Sequence, residues 1–350
     1  MKDVELKYKS FTFPLSQKFT NSNHSFTHKE IIILKAKDER GNIAFGEVSP
    51  LPGFSKENIQ DCEDRLEQFS ISIIQSFNNP QKLNEELKIF DNIPSLKFGL
   101  EQVIISLMLN NNLYYFDTTN FKESIKVNGS IGFENLTETE EHIEKTLLRG
   151  ISTLKLKVGR TNFEEDLSII TMIKKRFGNK IKLRLDVNGK WSFDEAKNNL
   201  RKIEQFELQY VEQPVKDKFE LLELAKQSEI KIAPDESIQT IDDAIDFINS
   251  DLIDFIILKP SIRLGIFNTL KVLNLAKQKD VVPIITTSFE TAIGRNMLLS
   301  LAGTTGHNFA HGLSLEVLGD SSANKSLITS NGKIKVDSES LKLNYNDLWN

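Results

Sequence analysis

Ile181-Lys-Leu-Arg-Leu-Asp-Val-Asn188 reads as one strand with two unlike faces. Side chains alternate across a strand, so Ile181, Leu183, Leu185 and Val187 share an apolar face fit to pack beneath helices. Lys182, Arg184, Asp186 and Asn188 share the other face. Turning charge inward is unfavourable unless the charges are paired or hold an ion. Thr153-Leu-Lys-Leu-Lys-Val158 repeats the pattern, with Lys155 and Lys157 on one face. Three more apolar runs end in polar groups, at Glu212-Gln-Pro214, Asp235-Glu236 and Lys259-Pro260. From Lys157 through Asp186, Glu212 and Asp235 to Lys259, successive positions lie 23 to 29 residues apart. That is the length of one strand plus one helix in a (β/α)8 barrel, whose strand ends converge on one mouth.

Outward from this segment, strands are expected at 125–129, 152–158, 181–187, 209–213, 231–235, 254–259, 282–287 and 308–311, with amphipathic Lys/Glu-rich text in most of the gaps. The alternation predicts an α/β fold, a (β/α)8-type barrel. No glycine-rich phosphate fingerprint follows a strand, which counts against an open doubly wound sheet. The first third predicts an α+β capping unit. Phe11-Thr-Phe13, Ile31–Leu34 and Ile43–Val48 read as strands, and helices are expected near 55–76, 81–91 and 95–110, the first capped by Ser55 or Asn58. The polar stretch 15–29 reads as a long loop, either an insertion or a lid. Asn331-Gly332 signals a hairpin, and the tail is expected to return to the capping unit. The expected division is 1–122 cap, 123–318 barrel and 319–350 returning tail.

Length, 350 residues, suits a barrel plus a smaller domain. Net charge is −5 with signs interspersed, and no basic run points to nucleic acid or anionic lipid. No apolar stretch approaches a membrane span, and Met1-Lys-Asp-Val-Glu5 lacks a signal peptide's apolar core. Cys62 is the one cysteine, so no disulfide framework exists; the expected location is the cytoplasm and the thiol is expected to be structural. Oligomeric state is left open, a homo-oligomer included.

Asp186, Glu212 and Asp235 end three successive expected strands. Three oxygen ligands without nearby His or Cys suit Mg²⁺, or Mn²⁺, rather than zinc. Singly, each acid could as well cap a helix or pair with a lysine. Neighbouring Lys155 and Lys157 are expected to depress each other's pKa, bringing an amine towards the range of a base. Lys259 approaches from the opposite side of the mouth; its alternative reading is a salt bridge to Asp235. Three carboxylates, a divalent ion and two ammoniums sum to about +1, a pocket for a small anionic carboxylate whose charge grows during proton abstraction.

With Lys-x-Lys, three strand-end acids and a sixth-strand lysine in place, residues 30–315 resemble the enolase superfamily, in its muconate-cycloisomerase-like branch. A lysine base working with Mg²⁺ on an ene-diolate is the chemistry of that superfamily. Gly46-Glu-Val-Ser-Pro-Leu-Pro-Gly-Phe-Ser55, Ile93–Gly99, Leu183–Asn188 and Ile284–Gly294 are similar to segments of the o-succinylbenzoate synthases. The resemblance implies that Lys157 moves the proton, Lys259 faces it as a cation, and Asp186, Glu212 and Asp235 hold Mg²⁺. It implies substrate contacts at Lys155, Asn188, Thr286, Ser288, Gly312 and Phe54, with the 15–29 stretch closing the pocket. The implied reaction dehydrates 2-succinyl-6-hydroxy-2,4-cyclohexadiene-1-carboxylate to 2-succinylbenzoate, a menaquinone-pathway step. Thr286-Thr-Ser288 carries no His, so a mandelate-racemase-like base is not expected. Dipeptide epimerases of the branch place Asp-x-Asp after strand eight, where this chain has His311-Gly-Leu-Ser-Leu-Glu316; Ser314 and Glu316 are partial substitutes. Epimerisation or racemisation of dipeptides or N-acylamino acids is the alternative, and fold alone does not choose.

Overall fold

The computed structural model describes residues 4–20, 25–69, 83, 85–111, 120–314, 330–336 and 349. Strands β1 (Val4–Thr20), β2 (Ser25–Asp38) and β3 (Ile43–Val48) form an antiparallel sheet. The β2–β3 turn is set by Asp38, whose Oδ1 accepts from Arg40 N and Asn42 N while Gly41 takes φ +84°. A left-handed backbone there suits a residue without Cβ. The expected loop at 15–29 is corrected: 16–20 extend β1 and 25–29 begin β2, with a register shift between Pro14 and Phe19 and pairing at Phe19–Phe26 and Thr20–Ser25. The stretch lacks a strand pattern because Thr27 and His28 face solvent, so nothing demands apolar alternation. Residues 21–24 lie outside the described residues.

Helix α1 (Ile59–Glu67) starts at Asn58 in a reciprocal capping box with Asp61, so Asn58 rather than Ser55 is the cap. The part of the expected helix beyond 69 lies outside the described residues. Helix α2 (Pro94–Asn110) is buried from Pro94 to Met108. Such a helix is buried all round because it packs on two sides, and its few polar side chains, Glu101 and Gln102 among them, find partners there. One side meets β3, where a Cβ on Gly46 would fall on Gly99 O, so the two glycines let helix and strand touch by backbone. The other side meets the barrel. Glu101 Oε2 accepts from Ile266 N and Phe267 N, and Gln102 Nε2 donates to Ile293 O at 2.6 Å.

The barrel begins at β4 (Ser124–Lys126) and β5 (Gly129–Ile131). It continues through β6 (Thr153–Lys157), β7 (Lys182–Asp186), β8 (Leu208–Glu212), β9 (Ile232–Ala233), β10 (Phe255–Leu258) and β11 (Val282–Ile285). Strands β5 to β9 form one parallel sheet and β10–β11 another. Backbone bonds close the ring: Ile257 N to Pro234 O, Thr286 N to Leu258 O, Gly312 N to Ile285 O and Asn128 N to His311 O. The expected eighth strand is only bridges at His311 and Gly312. Helices α3 (Leu136–Leu148), α4 (Phe163–Phe177), α5 (Phe193–Ile203), α6 (Lys218–Gln227), α7 (Ile241–Asn249), α8 (Gly265–Gln278) and α9 (Ala292–Thr304) separate the strands.

The interior keeps the two-faced reading of 181–188. Leu183 and Leu185 join the main core, and Arg184 is fully buried inside. Its guanidinium donates to Gln209 Oε1 and Asn128 Oδ1 and lies 4.9 Å from the Tyr210 ring. Lys182, expected on the same inward face, is exposed at the start of its strand. The Asn331-Gly332 turn forms, and β12 (Lys333–Lys335) pairs with β4 of the barrel. Trp349 lies on the N-terminal sheet, its carbonyl accepting from Lys9 at 2.7 Å. The 318/319 boundary, Leu341–Leu343 and Glu316 lie outside the described residues.

Candidate active site

Parallel register levels the strand ends. Lys157 pairs with Asp186, Asp186 with Glu212, and Glu212 with Ala233, so residues far apart in sequence share one mouth. Beyond Asp186 the chain turns at Asn188 (φ +51°) and Gly189 (φ +66°). Beyond Glu212 it turns at Gln213 (φ +40°), whose fully buried amide is the post for the next strand's end. Gln213 Oε1 accepts from Asp235 N at 2.8 Å and Ser237 N at 3.1 Å, and its Nε2 donates to Val215 O at 2.8 Å. Asp235 stands two residues past β9 yet is held level with its neighbours.

Lys155 Nζ donates to Asp186 Oδ2 and Glu212 Oε1, each at 2.9 Å. Lys259 Nζ donates to Asp235 Oδ2 at 2.5 Å and lies 5.5 Å from the Phe54 ring, so the capping loop covers it. The pairing of Lys259 with Asp235 that the sequence allowed is therefore present. Lys157 makes no hydrogen bond or ion pair with the described residues. By strand order Lys157 on β6 and Lys259 after β10 stand across the ring, with the acids of β7, β8 and β9 between them.

Burial and charge oppose each other here. Burial raises the Glu212 carboxyl, and Asp186 and Asp235 push it further, so it sits well above the usual range despite Lys155. Burial would raise Asp186 too, but the Lys155, Lys157 and Lys259 ammoniums together outweigh it and hold that carboxyl low. Burial disfavours the Lys155 ammonium, yet Asp186 and Glu212 prevail and its pKa is raised. The expected depression by Lys157 is thus overturned at Lys155, because two carboxylates stand 2.9 Å from its ammonium. Burial and Asp235 raise Glu236 to about 7; Asn188 Nδ2 donates to it at 2.9 Å.

Do these groups fit a divalent ion? Among the described residues no three acids or histidines are gathered as a ready cluster; Lys155 bridges Asp186 and Glu212, and Lys259 pairs with Asp235. The donor set is nevertheless all carboxylate, two of its members already share one cation, and Glu212 Oε2 is buried without a partner among the described residues. Hard oxygens round a buried position suit Mg²⁺ or Mn²⁺. The residues fit the ion.

The expected tail contacts lie on the β10–β11 side. Thr286 and Gly312 are bridged, and a Cβ on Gly312 would sit 2.8 Å from Thr286 Cγ2. Thr286 Oγ1 and Ser288 Oγ are buried without partners among the described residues. Ser314 Oγ is turned to Asn128 O. Four residues escaped the sequence reading. Lys29, inside the expected loop, is buried and donates to Ser288 O. Glu47 accepts from Thr291 N, Thr291 Oγ1 and Gly294 N. Glu290 accepts from Ser288 N, Thr287 Oγ1 and Ser261 Oγ. Gln213 belongs to a strand-end motif whose spacing gives it no task. The signal was a charged or amide residue inside an otherwise strand-like or turn segment. Cavities of about 340 Å³ beside α1 and about 120 Å³ at the opposite barrel end lie away from the lysine–carboxylate cluster. No described helix is long and apolar enough to cross a membrane.

Residues 138–340 match the family described as Enolase C-terminal domain-like, and 1–107 the family described as MenC, N-terminal domain. The chain is 24% identical over 332 residues to Protein PHYLLO, chloroplastic, of Arabidopsis thaliana, a match that covers 85% of this chain but 19% of that protein. It is 30% identical over 208 residues to an o-succinylbenzoate synthase of Desulfotalea psychrophila, covering 57% of this chain and 56% of the relative. It is 24% identical over 303 residues to an L-Ala-D/L-Glu epimerase of Francisella tularensis subsp. novicida, covering 84% and 85%. The chain thus spans about a fifth and about half of the first two relatives' lengths. Among solved structures, a dipeptide epimerase of Methylococcus capsulatus complexed with Mg and L-Arg-D-Lys superposes with TM-score 0.82 at 18% identity over 95% of this chain and 96% of that one. An o-succinylbenzoate synthase of Thermosynechococcus elongatus complexed with Mg gives 0.71 at 22% over 88% and 92%. At such identities the likeness is one of fold.

Proposed function

Because the chain belongs to the enolase superfamily, we propose that it is an o-succinylbenzoate synthase, with residues 123–318 as the catalytic barrel and 1–122 as its cap. The substrate would be a small cyclohexadiene carboxylate. Asp186, Glu212 and Asp235 would hold Mg²⁺, or Mn²⁺, which supplies positive charge to the substrate carboxylate as negative charge builds there. Lys157, free of protein partners among the described residues, would act as the amine base. It takes the proton from ring carbon 1, and the C–H electron pair moves into the carboxylate. The new Lys157 ammonium then gives that proton to the hydroxyl on carbon 6, the electron pair returns from the carboxylate to form the C1=C6 double bond, the C6–O pair leaves on oxygen, and water departs from the same face. Lys259, held by Asp235 and shielded by Phe54, contributes a cation on the far side. Lys155 keeps Asp186 and Glu212 together, and Asn188 steadies Glu236. Thr286, Ser288 and Gly312 would receive the succinyl tail.

The second reading, dipeptide epimerase or N-acylamino acid racemase, has support in the epimerase relatives and in the paired lysines. One observation favours the synthase over it: residues 1–107 match the family described as MenC, N-terminal domain. The test is an ultraviolet assay with the cyclohexadiene substrate. Mg²⁺-dependent appearance of the aromatic product, abolished by chelation, supports the reading. Solvent deuterium exchange at a dipeptide α-carbon without dehydration would replace it with the epimerase.

A further inference from the structure

Lys29 is 1% exposed, and its Nζ donates to Ser288 O, 259 residues away. The acids facing it are Glu290, from the turn after β11, and Glu47, from β3. Glu290 does more than balance charge. One oxygen accepts from Ser261 Oγ, two residues past Lys259, and the other accepts from Thr287 Oγ1 at 2.6 Å; Ser288 N donates to both, at 2.9 and 3.0 Å. One carboxylate therefore ties the turn bearing Lys259 to the turn bearing Thr286 and Ser288, and one capping-domain ammonium grips the second turn from behind. Thr286 Oγ1 and Ser288 Oγ, both buried without partners among the described residues, belong to the gripped turn.

We infer that Lys29 and Glu290 form an interdomain clamp that positions the 286–288 turn for the anionic tail of the substrate, and that the clamp closes only with a charged Lys29. This rests on the proposed use of 286–288 as the tail site. Lys29 is a positioning residue: it touches the backbone of the pocket, not the reacting atoms. A buried ammonium is costly unless paired, and Ser288 O, Glu290 and Glu47 supply the pairing here.

The clamp has its own pH signature. Burial lowers the Lys29 ammonium from 10.5 to about 8, against the pull of Glu290 and Glu47. The unfolded chain holds that proton more tightly, so between about pH 8 and 10.5 this group's contribution to stability rises with pH. Substrate binding should move the other way. If only the charged form binds well, KM at pH 9 is about tenfold above its neutral value, while the melting temperature does not fall on account of this group. A merely structural lysine would change stability over that range and leave KM flat.

The experiment measures KM for the cyclohexadiene substrate and thermal unfolding from about pH 7 to 9.5, a window that spans the Lys29 titration, in the wild type and in Lys29→Arg, which stays charged. A wild-type rise in KM that moves to higher pH or vanishes in Lys29→Arg supports the clamp. A flat wild-type KM, or a rise unchanged in Lys29→Arg, overturns it. Should Lys29→Arg not fold, the charge-compensated Lys29→Met/Glu290→Gln protein must show a raised, pH-flat KM, and a normal KM there overturns the inference. A wild type giving no aromatic product defeats the reaction assignment instead, and the same KM series is then read on dipeptide α-proton exchange.

Discussion

Replacing Glu47 with Ala should unlatch the cap from the barrel. Its carboxylate is fully buried and meets three donors at the start of α9: Thr291 N at 2.9 Å, Thr291 Oγ1 at 2.5 Å and Gly294 N at 2.9 Å. A hydrogen bond to a charged group contributes about 1.5–3 kcal/mol net, and a buried donor left unsatisfied costs about 1–3 kcal/mol. The three do not add, because α9 can shift and water can enter, so the expected loss is about 3–5 kcal/mol. Glu47 also faces Lys29, which would keep only Glu290. With an unfolding entropy of about 2.1 cal/mol/K per residue, cooperative melting of this chain would drop by roughly 4–7 °C. Glu47→Gln keeps one acceptor and should lose about half as much. The assay is calorimetric melting of wild type, Glu47→Ala and Glu47→Gln at neutral pH. A drop under about 1 °C for the alanine variant, well short of that entropy-based shift, would show that the latch carries no net stability and that α2, through Glu101 and Gln102, suffices to hold the domains.

Under the proposed mechanism, Lys157→Ala should lower kcat by about 10²–10⁴-fold with melting nearly unchanged, because no described group pairs with its ammonium; steady-state kinetics beside a melting curve checks both halves. Gly46→Ala should destabilise by about 1–3 kcal/mol or more, since the new Cβ falls on Gly99 O between two backbones; a urea midpoint equal to wild type would refute the close approach. His311 is buried, and burial, then His307 and Arg184, hold its pKa well below 6.5, while its Nδ1 accepts from Ile285 N at 3.0 Å in the closing seam. The unfolded chain binds that proton more readily, so stability should fall as pH drops below about 6.5. His311→Gln should flatten that slope in denaturant midpoints between about pH 7 and 5, and an unchanged slope would assign it elsewhere. Burial pushes the Cys62 thiol far up, so it should resist a thiol reagent in the native protein and react on unfolding.

Local rules were enough to read much of the barrel. Alternation in 153–158 and 181–188 follows from strand geometry, and the 23–29 residue spacing follows from the lengths of a strand and a helix, so both are written in the chain itself. The same spacing led to the expectation that Lys157, Asp186 and Glu212 end adjacent strands, and the strands pair in that register. What needed the tertiary structure was anything resting on contacts between distant segments. Lys29 meets Ser288 across 259 residues and Glu47 meets Thr291 across 244, and no local pattern encodes either. The strand pairing within 16–29 was hidden because exposed positions such as Thr27 and His28 need no apolar alternation, and the expected eighth strand is present only as bridges at 311–312. The charge state of Lys155 was misread for the same reason. Sequence showed its neighbour Lys157, whereas folding put two carboxylates at 2.9 Å, and in a buried site the nearer charges prevail.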